Sequence, residues 1–140
     1  HIMESSALSP PVKGVTELFH HANVAGVAVA KGDLATARTE SDAFAKGSAG
    51  NGNRFQTNLT HELAGRIALE GKQYDVAITE LQQANLQDPY NLYRMALAYQ
   101  GKGDMGKARD YAGKAANWNG LPALNYALVR TKAAQMAGTT

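Results

Sequence analysis

The chain has no cysteine, few aromatic residues and no long apolar run. Without cysteine there is neither a disulfide framework nor a thiolate metal site. Aromatics make up 7% of the 140 residues, with one tryptophan. That scarcity argues against a sheet core, where aromatic and β-branched side chains are favoured. No stretch approaches the roughly 18 apolar residues that a membrane span needs, so no membrane partner is expected. The segment MESSALSPPVKG lacks the basic start and apolar run of a secretory leader. His1-Ile2 ahead of Met3 reads as a cloning scar, which leaves a trimmed upstream signal open. The expected compartment is therefore the cytoplasm or, with such a signal, the periplasm. Motifs of catalysis are missing too: there is no HExxH, no phosphate-cradling glycine loop and no GxSxG. No catalytic residue and no cofactor are expected, and the chain does not read as an enzyme.

What the chain does have is alanine. Hydrophobic residues are 44% of the total, much of it alanine, a composition suited to helices in close contact. The formal net charge of +2 is too small to imply a nucleic-acid partner. Its distribution is uneven. Residues 91–140 hold seven basic against two acidic residues, a net +5, and residues 1–90 hold seven against ten, a net −3. Such asymmetry either steers an acidic partner or a second copy head to tail, or it is only the solvated faces of helices.

Three segments align on Ala37, Ala77 and Ala108, at spacings of 40 and 31 residues. Ahead of each stands a glycine-bearing corner: Lys31-Gly32-Asp33, Gly71-Lys72-Gln73 and Gly103-Asp104. Glycine there takes the left-handed conformation that closes a helix. Before each corner an i, i+3, i+4, i+7 row predicts a helix. The rows are His21-Val24-Ala25-Ala28, His61-Ala64-Gly65-Ala68 and Leu92-Met95-Ala96-Tyr99. After each corner a second helix follows, with Leu34, Ala37 and Phe44, then Tyr74, Ala77, Leu81 and Ala84, then Ala108, Tyr111 and Ala115. KGSAGNGN, residues 46–53, reads as a loop. Asp88-Pro89 reads as an N-cap and the first position of the next helix.

This pattern resembles the tetratricopeptide repeat, a helix–turn–helix unit of about 34 residues. The middle copy is nearest, with Ala64-Gly65, Tyr74, Ala77, Leu81, Ala84 and Pro89 in the family's slots. The family's tryptophan is absent, and His21 and His61 stand in its place. The resemblance implies an all-α, right-handed solenoid of about seven helices. Its parts are a scar and flexible arm over 1–17, repeats over about 18–52, 53–88 and 89–119, and a capping helix over 122–136. Gly120-Leu121-Pro122 starts that cap, which covers the apolar end of the stack.

The resemblance also implies a peptide-binding groove lined by the first helix of each pair. Phe19 belongs to it from the first copy, Glu62, Arg66 and Leu69 from the second, and Tyr90, Tyr93, Arg94 and Leu97 from the third. Tyr90, Tyr93 and Leu97 form the expected anchor, since tyrosine is prominent among residues that dominate binding. The plainer alternative is that Leu59 and Tyr90 pack on the neighbouring repeat. The family's clamp for a terminal carboxylate is not expected, because Ala22, Gly26 and Leu63 occupy clamp positions and only Arg94 fits one. His20, His21 and His61 do not complete the three or four ligands that zinc requires, so they read as packing side chains. The expected function is a non-enzymatic protein-interaction module for a protein or peptide partner. The alternatives are a self-associating homo-oligomeric scaffold and a regulatory domain of a larger protein.

Overall fold

The structure, a computed structural model, describes residues 9–119 and 124–138. These residues form seven helices and no strand: α1 Pro10–Ala30, α2 Leu34–Ser48, α3 Arg54–Glu70, α4 Tyr74–Gln83, α5 Pro89–Lys102, α6 Met105–Ala116 and α7 Leu124–Ala137. The all-α expectation holds. The expected start of the cap at Gly120-Leu121-Pro122 lies outside the described residues, as do residues 1–8 of the expected arm. Residues 10–17, expected within that arm, are instead the opening turns of α1, with Pro10 at a position where a helix lacks partners for its N–H anyway.

Each of the three corners closes in the same way. The N–H of Asp33, Gln73 and Asp104 donates to the carbonyl of Ala28, Ala68 and Tyr99, five residues back. The preceding N–H, of Gly32, Lys72 and Gly103, donates to Val29, Leu69 and Gln100. Both bonds together satisfy carbonyls that the helix end would otherwise orphan. The turn requires a left-handed residue, supplied by Gly32 at φ 76° and Gly103 at φ 90°. In the middle corner the sequence expectation fails by one position. Gly71 has φ −76°, and the left-handed residue is Lys72 at φ 58°. Register outweighs local preference there, because both helices are already anchored by their packing.

The helices after the corners are capped in turn. Asp33 accepts from the N–H of Thr36 at 3.1 Å, and Asp104 from that of Lys107 at 3.0 Å. Gln73, in the same place, makes no side-chain cap. Asp88 accepts from Tyr90 N–H at 2.8 Å with Pro89 next to it, as expected. The loop expected over 46–53 is shorter, since α2 runs on to Ser48. Asn53 then N-caps α3 through Phe55 and Gln56.

Consecutive helices pack as hairpins, and the odd-numbered ones also touch: α1 with α3, α3 with α5, α5 with α7. Among the described residues α2, α4 and α6 make no such contact with one another. The molecule therefore has one row of touching helices backed by separated ones. Alanine makes the close approach feasible. Ala25, Ala37, Ala77, Ala96, Ala108 and Ala115 are all fully buried. Gly65 does the same job on α3, where an added Cβ would fall 2.6 Å from Leu81 Cγ. Larger side chains fill the remaining space. Phe44, Leu63, Leu81 and Met95 are almost wholly buried, each contributing about 1.5–3 kcal/mol of apolar transfer. Helix α7 closes the series by burying Val129 and Ala133, with Arg130 and Lys132 outside.

Candidate functional site

The odd helices carry two adjoining depressions. One, of about 450 Å³, lies between α1 and α3, with Phe19, Ala22, Gly26, Val27, Phe55 and Leu59 in its wall. The other, of about 210 Å³, spans α1, α3 and α5 and is walled by Val29, Leu69, Tyr90, Tyr93, Arg94 and Leu97. Arg66 lines both. Of the eight residues expected at the groove, Phe19 lies in the first depression, and Leu69, Tyr90, Tyr93, Arg94 and Leu97 lie in the second. Arg66 joins them, and Glu62 sits beneath as the partner of the two arginines.

That partnership is specific. Arg94 Nη1 donates to Glu62 Oε1 at 3.1 Å and to Asn91 Oδ1 at 2.7 Å. Asn91 Nδ2 donates to the other carboxylate oxygen, Oε2, and to the Asn85 carbonyl, both at 3.1 Å. Asn91 is fully buried, and its amide is the hinge of the network, since it donates to the anion and accepts from the cation together. Sequence reasoning missed it. A polar residue on the inner face of α5, one turn before Arg94, was the available signal. The guanidinium of Arg94 also covers the ring of Tyr90 at 4.8 Å, an attraction that holds both in place.

Arg66 is held differently. Its Nη2 donates to the Gly26 carbonyl at 3.1 Å, while its Nη1 stands 3.9 Å from Glu62, beyond hydrogen-bond distance. Burial, then the nearby charge of Arg94, pushes its pKa below the usual arginine value, with Glu62 opposing the shift. Gly26 gives the side chain room to cross α1, where a Cβ would lie 3.4 Å from Nη1. Burial and then Tyr90 raise the pKa of Tyr93, so its hydroxyl stays protonated at neutral pH.

Phe55 was also missed. It is 64% exposed, and its ring lies 6.0 Å from that of Phe19, which in turn lies 6.0 Å from Phe44. As the second residue of α3, following a glycine-rich turn, it lacked the helical spacing that singles out a face. Leu59 does both jobs at once: it packs on the cluster of Ala22, Ala25, Phe44 and Leu63 and lines the first depression. Tyr90 is half-buried.

Two of the histidines, His21 and His61, pair with carboxylates. His21 Nδ1 lies 2.6 Å from Glu40 Oε2 and His61 Nδ1 lies 2.8 Å from Glu80 Oε2. Glu17, one turn from His21, is not the partner. Among the described residues no group of three or more potential ligands converges. The charge asymmetry is only partly met by ion pairs within the fold. Lys102–Asp75 and Arg94–Glu62 join the two halves, whereas Lys107–Asp104 and Lys114–Asp110 lie within the basic half and leave its excess unchanged.

Further depressions lie elsewhere, one of them of about 370 Å³ at the Lys72–Val76 corner. Another, of about 620 Å³, lies beside the α4–α5 turn, among carboxamides such as Gln83 and Asn85 that are solvent-exposed. A third, of about 420 Å³, lies at the start of α1, where the buried Gln56 is already bonded to Asn51. No helix of the described residues is long and apolar enough to cross a membrane. Neither known protein families, nor characterised proteins, nor solved structures provide a match to this chain.

Proposed function

We propose that the chain is a non-enzymatic protein-interaction module of the tetratricopeptide kind. In this reading three helix pairs and a capping α7 stack into a right-handed solenoid that receives a peptide or helix of a partner along its odd helices. Two features support the repeat: the three corners share one hydrogen-bond pattern, and they recur at the alignment of Ala37, Ala77 and Ala108. A row of touching helices backed by separated ones bends toward the touching side, as helix-pair stacks do. The observation that carries the binding reading is the pair of depressions meeting at Arg66. Together they offer aromatic and aliphatic walls around a preorganised charge network, the composition of a binding centre.

A photo-crosslinking residue at Tyr93, set against one at Arg109 on α6, tests this in extract from the native host. The expected result is a crosslinked partner at Tyr93 alone, diminished by Leu97→Ala while helical content is unchanged. A partner captured equally at both positions counts against the groove. The uneven charge of the two halves favours one second reading, self-association. Light scattering at low and high salt separates it, because pairing of exposed charges weakens as the Debye length shortens.

A further inference from the structure

We infer that the groove's occupant is an amphipathic helix carrying an Asp or Glu between two apolar side chains, with that carboxylate received by Arg66. This deepens the reading just given and rests on it. Charge bookkeeping in the groove supplies the first argument. Two guanidiniums, Arg66 and Arg94, share one carboxylate, Glu62, and both of its oxygens are taken up by Arg94 and Asn91. Among the described residues Arg66 has no carboxylate at hydrogen-bond distance; its one hydrogen bond goes to a carbonyl, and Glu62 is 3.9 Å away. The Arg66 side chain keeps 21% of its surface exposed and none of its buried nitrogens lacks a partner, so its remaining donors face the solvent of the groove, open to a ligand. An incoming carboxylate would give this cation the hydrogen-bonded anion that Glu62 does not supply.

Position supplies the second argument. Arg66 is common to both depressions, so a ligand filling both must pass over it. The walls on either side are mainly apolar, with Phe19, Phe55 and Leu59 toward α1 and Leu69, Tyr93 and Leu97 toward α5; the second also carries the carboxylate of Glu70, which is solvent-exposed and not within ion-pair distance of Arg66. The ligand's order is therefore apolar, acidic, apolar. Neighbouring packed helices are about 8–10 Å apart, which sets the approximate separation of the recesses. On a helix, residues i and i+7 are about 10.5 Å apart on one face, with i+3 and i+4 between them. This places the acid inside a helix rather than at a chain terminus, and it matches groove recognition through i, i+3, i+4 and i+7 anchors.

The probe is a displayed library of helices with leucine fixed at i and i+7 and the intervening positions randomised, selected on the full chain. The expected result is enrichment of Asp or Glu at i+3 or i+4. A synthetic enriched peptide should bind about tenfold or more weakly when its acid is changed to the amide, the usual weight of a charged hydrogen bond. That difference should vanish on Arg66→Gln and grow on Glu62→Gln, which removes the competing resident anion. The comparison of acid and amide peptides on the unaltered protein stands even if a variant folds poorly. Helices that bind in a Tyr93-dependent way with no acidic preference, or with one that Arg66→Gln leaves intact, overturn this inference and leave the groove reading standing. Retained helices indifferent to both Tyr93→Ala and Phe19→Ala, or no retained helices, remove the groove reading and this inference with it.

Discussion

His61 and Glu80 face one another at 2.8 Å across the hairpin of α3 and α4, nineteen residues apart, and His21 and Glu40 do the same across α1 and α2. Stepping 31 residues on from His61 and Glu80 leads to Leu92 and Tyr111, which share one apolar cluster. The same seam between paired helices is thus closed twice by a hydrogen bond and once by apolar contact. His61→Ala alone should cost about 1 kcal/mol, because Glu80 keeps its half-buried position and loses its partner. The double change His61→Leu with Glu80→Tyr should restore most of that loss. Urea denaturation of the single and double variants measures it, and additive losses would show the two seams to be built differently.

Gly65→Ala should be among the most damaging small changes. The new methyl group would stand 2.6 Å from Leu81 Cγ, and Leu81 is fully enclosed and has nowhere to withdraw. Overpacking of this kind costs about 1–3 kcal/mol. The measurement is the thermal midpoint, compared with Gly113→Ala, where an added Cβ meets nothing within 4 Å.

The middle corner should be improvable. Lys72 holds a left-handed conformation that disfavours a side chain by about 1–2 kcal/mol, and Gln73 leaves α4 uncapped. Lys72→Gly should stabilise the fold by about 0.5–1 kcal/mol once the greater freedom of glycine in the unfolded chain is subtracted. Gln73→Asp, copying Asp33 and Asp104, should add about 0.5–1 kcal/mol. Both appear as a higher urea midpoint at an unchanged slope.

Asn91→Leu should loosen the contact of α3 with α5 and the fold together. It removes both of the amide's donor bonds and the acceptor for Arg94, leaving Glu62 with one hydrogen-bond partner in place of two. A loss of about 1–3 kcal/mol is expected. Asn91→Asp should be worse than Asn91→Leu, because it sets a second carboxylate against Glu62. The order of the two midpoints is the check.

Asp33 gives a pH dependence of known sign. Hydrogen bonds from the Thr36 hydroxyl and then the Thr36 N–H lower its pKa in the folded chain. Between the folded and unfolded values the unfolded chain binds more protons, so stability rises with pH across that window. The contribution is complete above the unfolded value of about 4 and is lost as the pH falls through the lowered one. Asp33→Asn should flatten that part of the stability profile in acid titration.

The legible parts of this protein were those carried by neighbours in sequence. The hairpins followed from i, i+3, i+4 rows and corner residues, since a helix face and a turn are each settled within a few positions. Asp88-Pro89 and the all-α class were legible for the same reason. That Arg66, Leu69, Tyr90, Tyr93, Arg94 and Leu97 lie along one side of α3 and α5 was legible once the helices were phased. What distant parts of the chain do to one another was not. The charged hinge at Asn91 depends on Glu62, twenty-nine residues away, and the crossing of Arg66 depends on Gly26, forty away. The left-handed Lys72 contradicts its own preference because packing on both sides sets the register. Sequence by itself determined which stretches coil and where they stop, because those are short-range choices of backbone and cap. Only the tertiary structure decided which side chains are desolvated together, and hence that two arginines come to share one carboxylate.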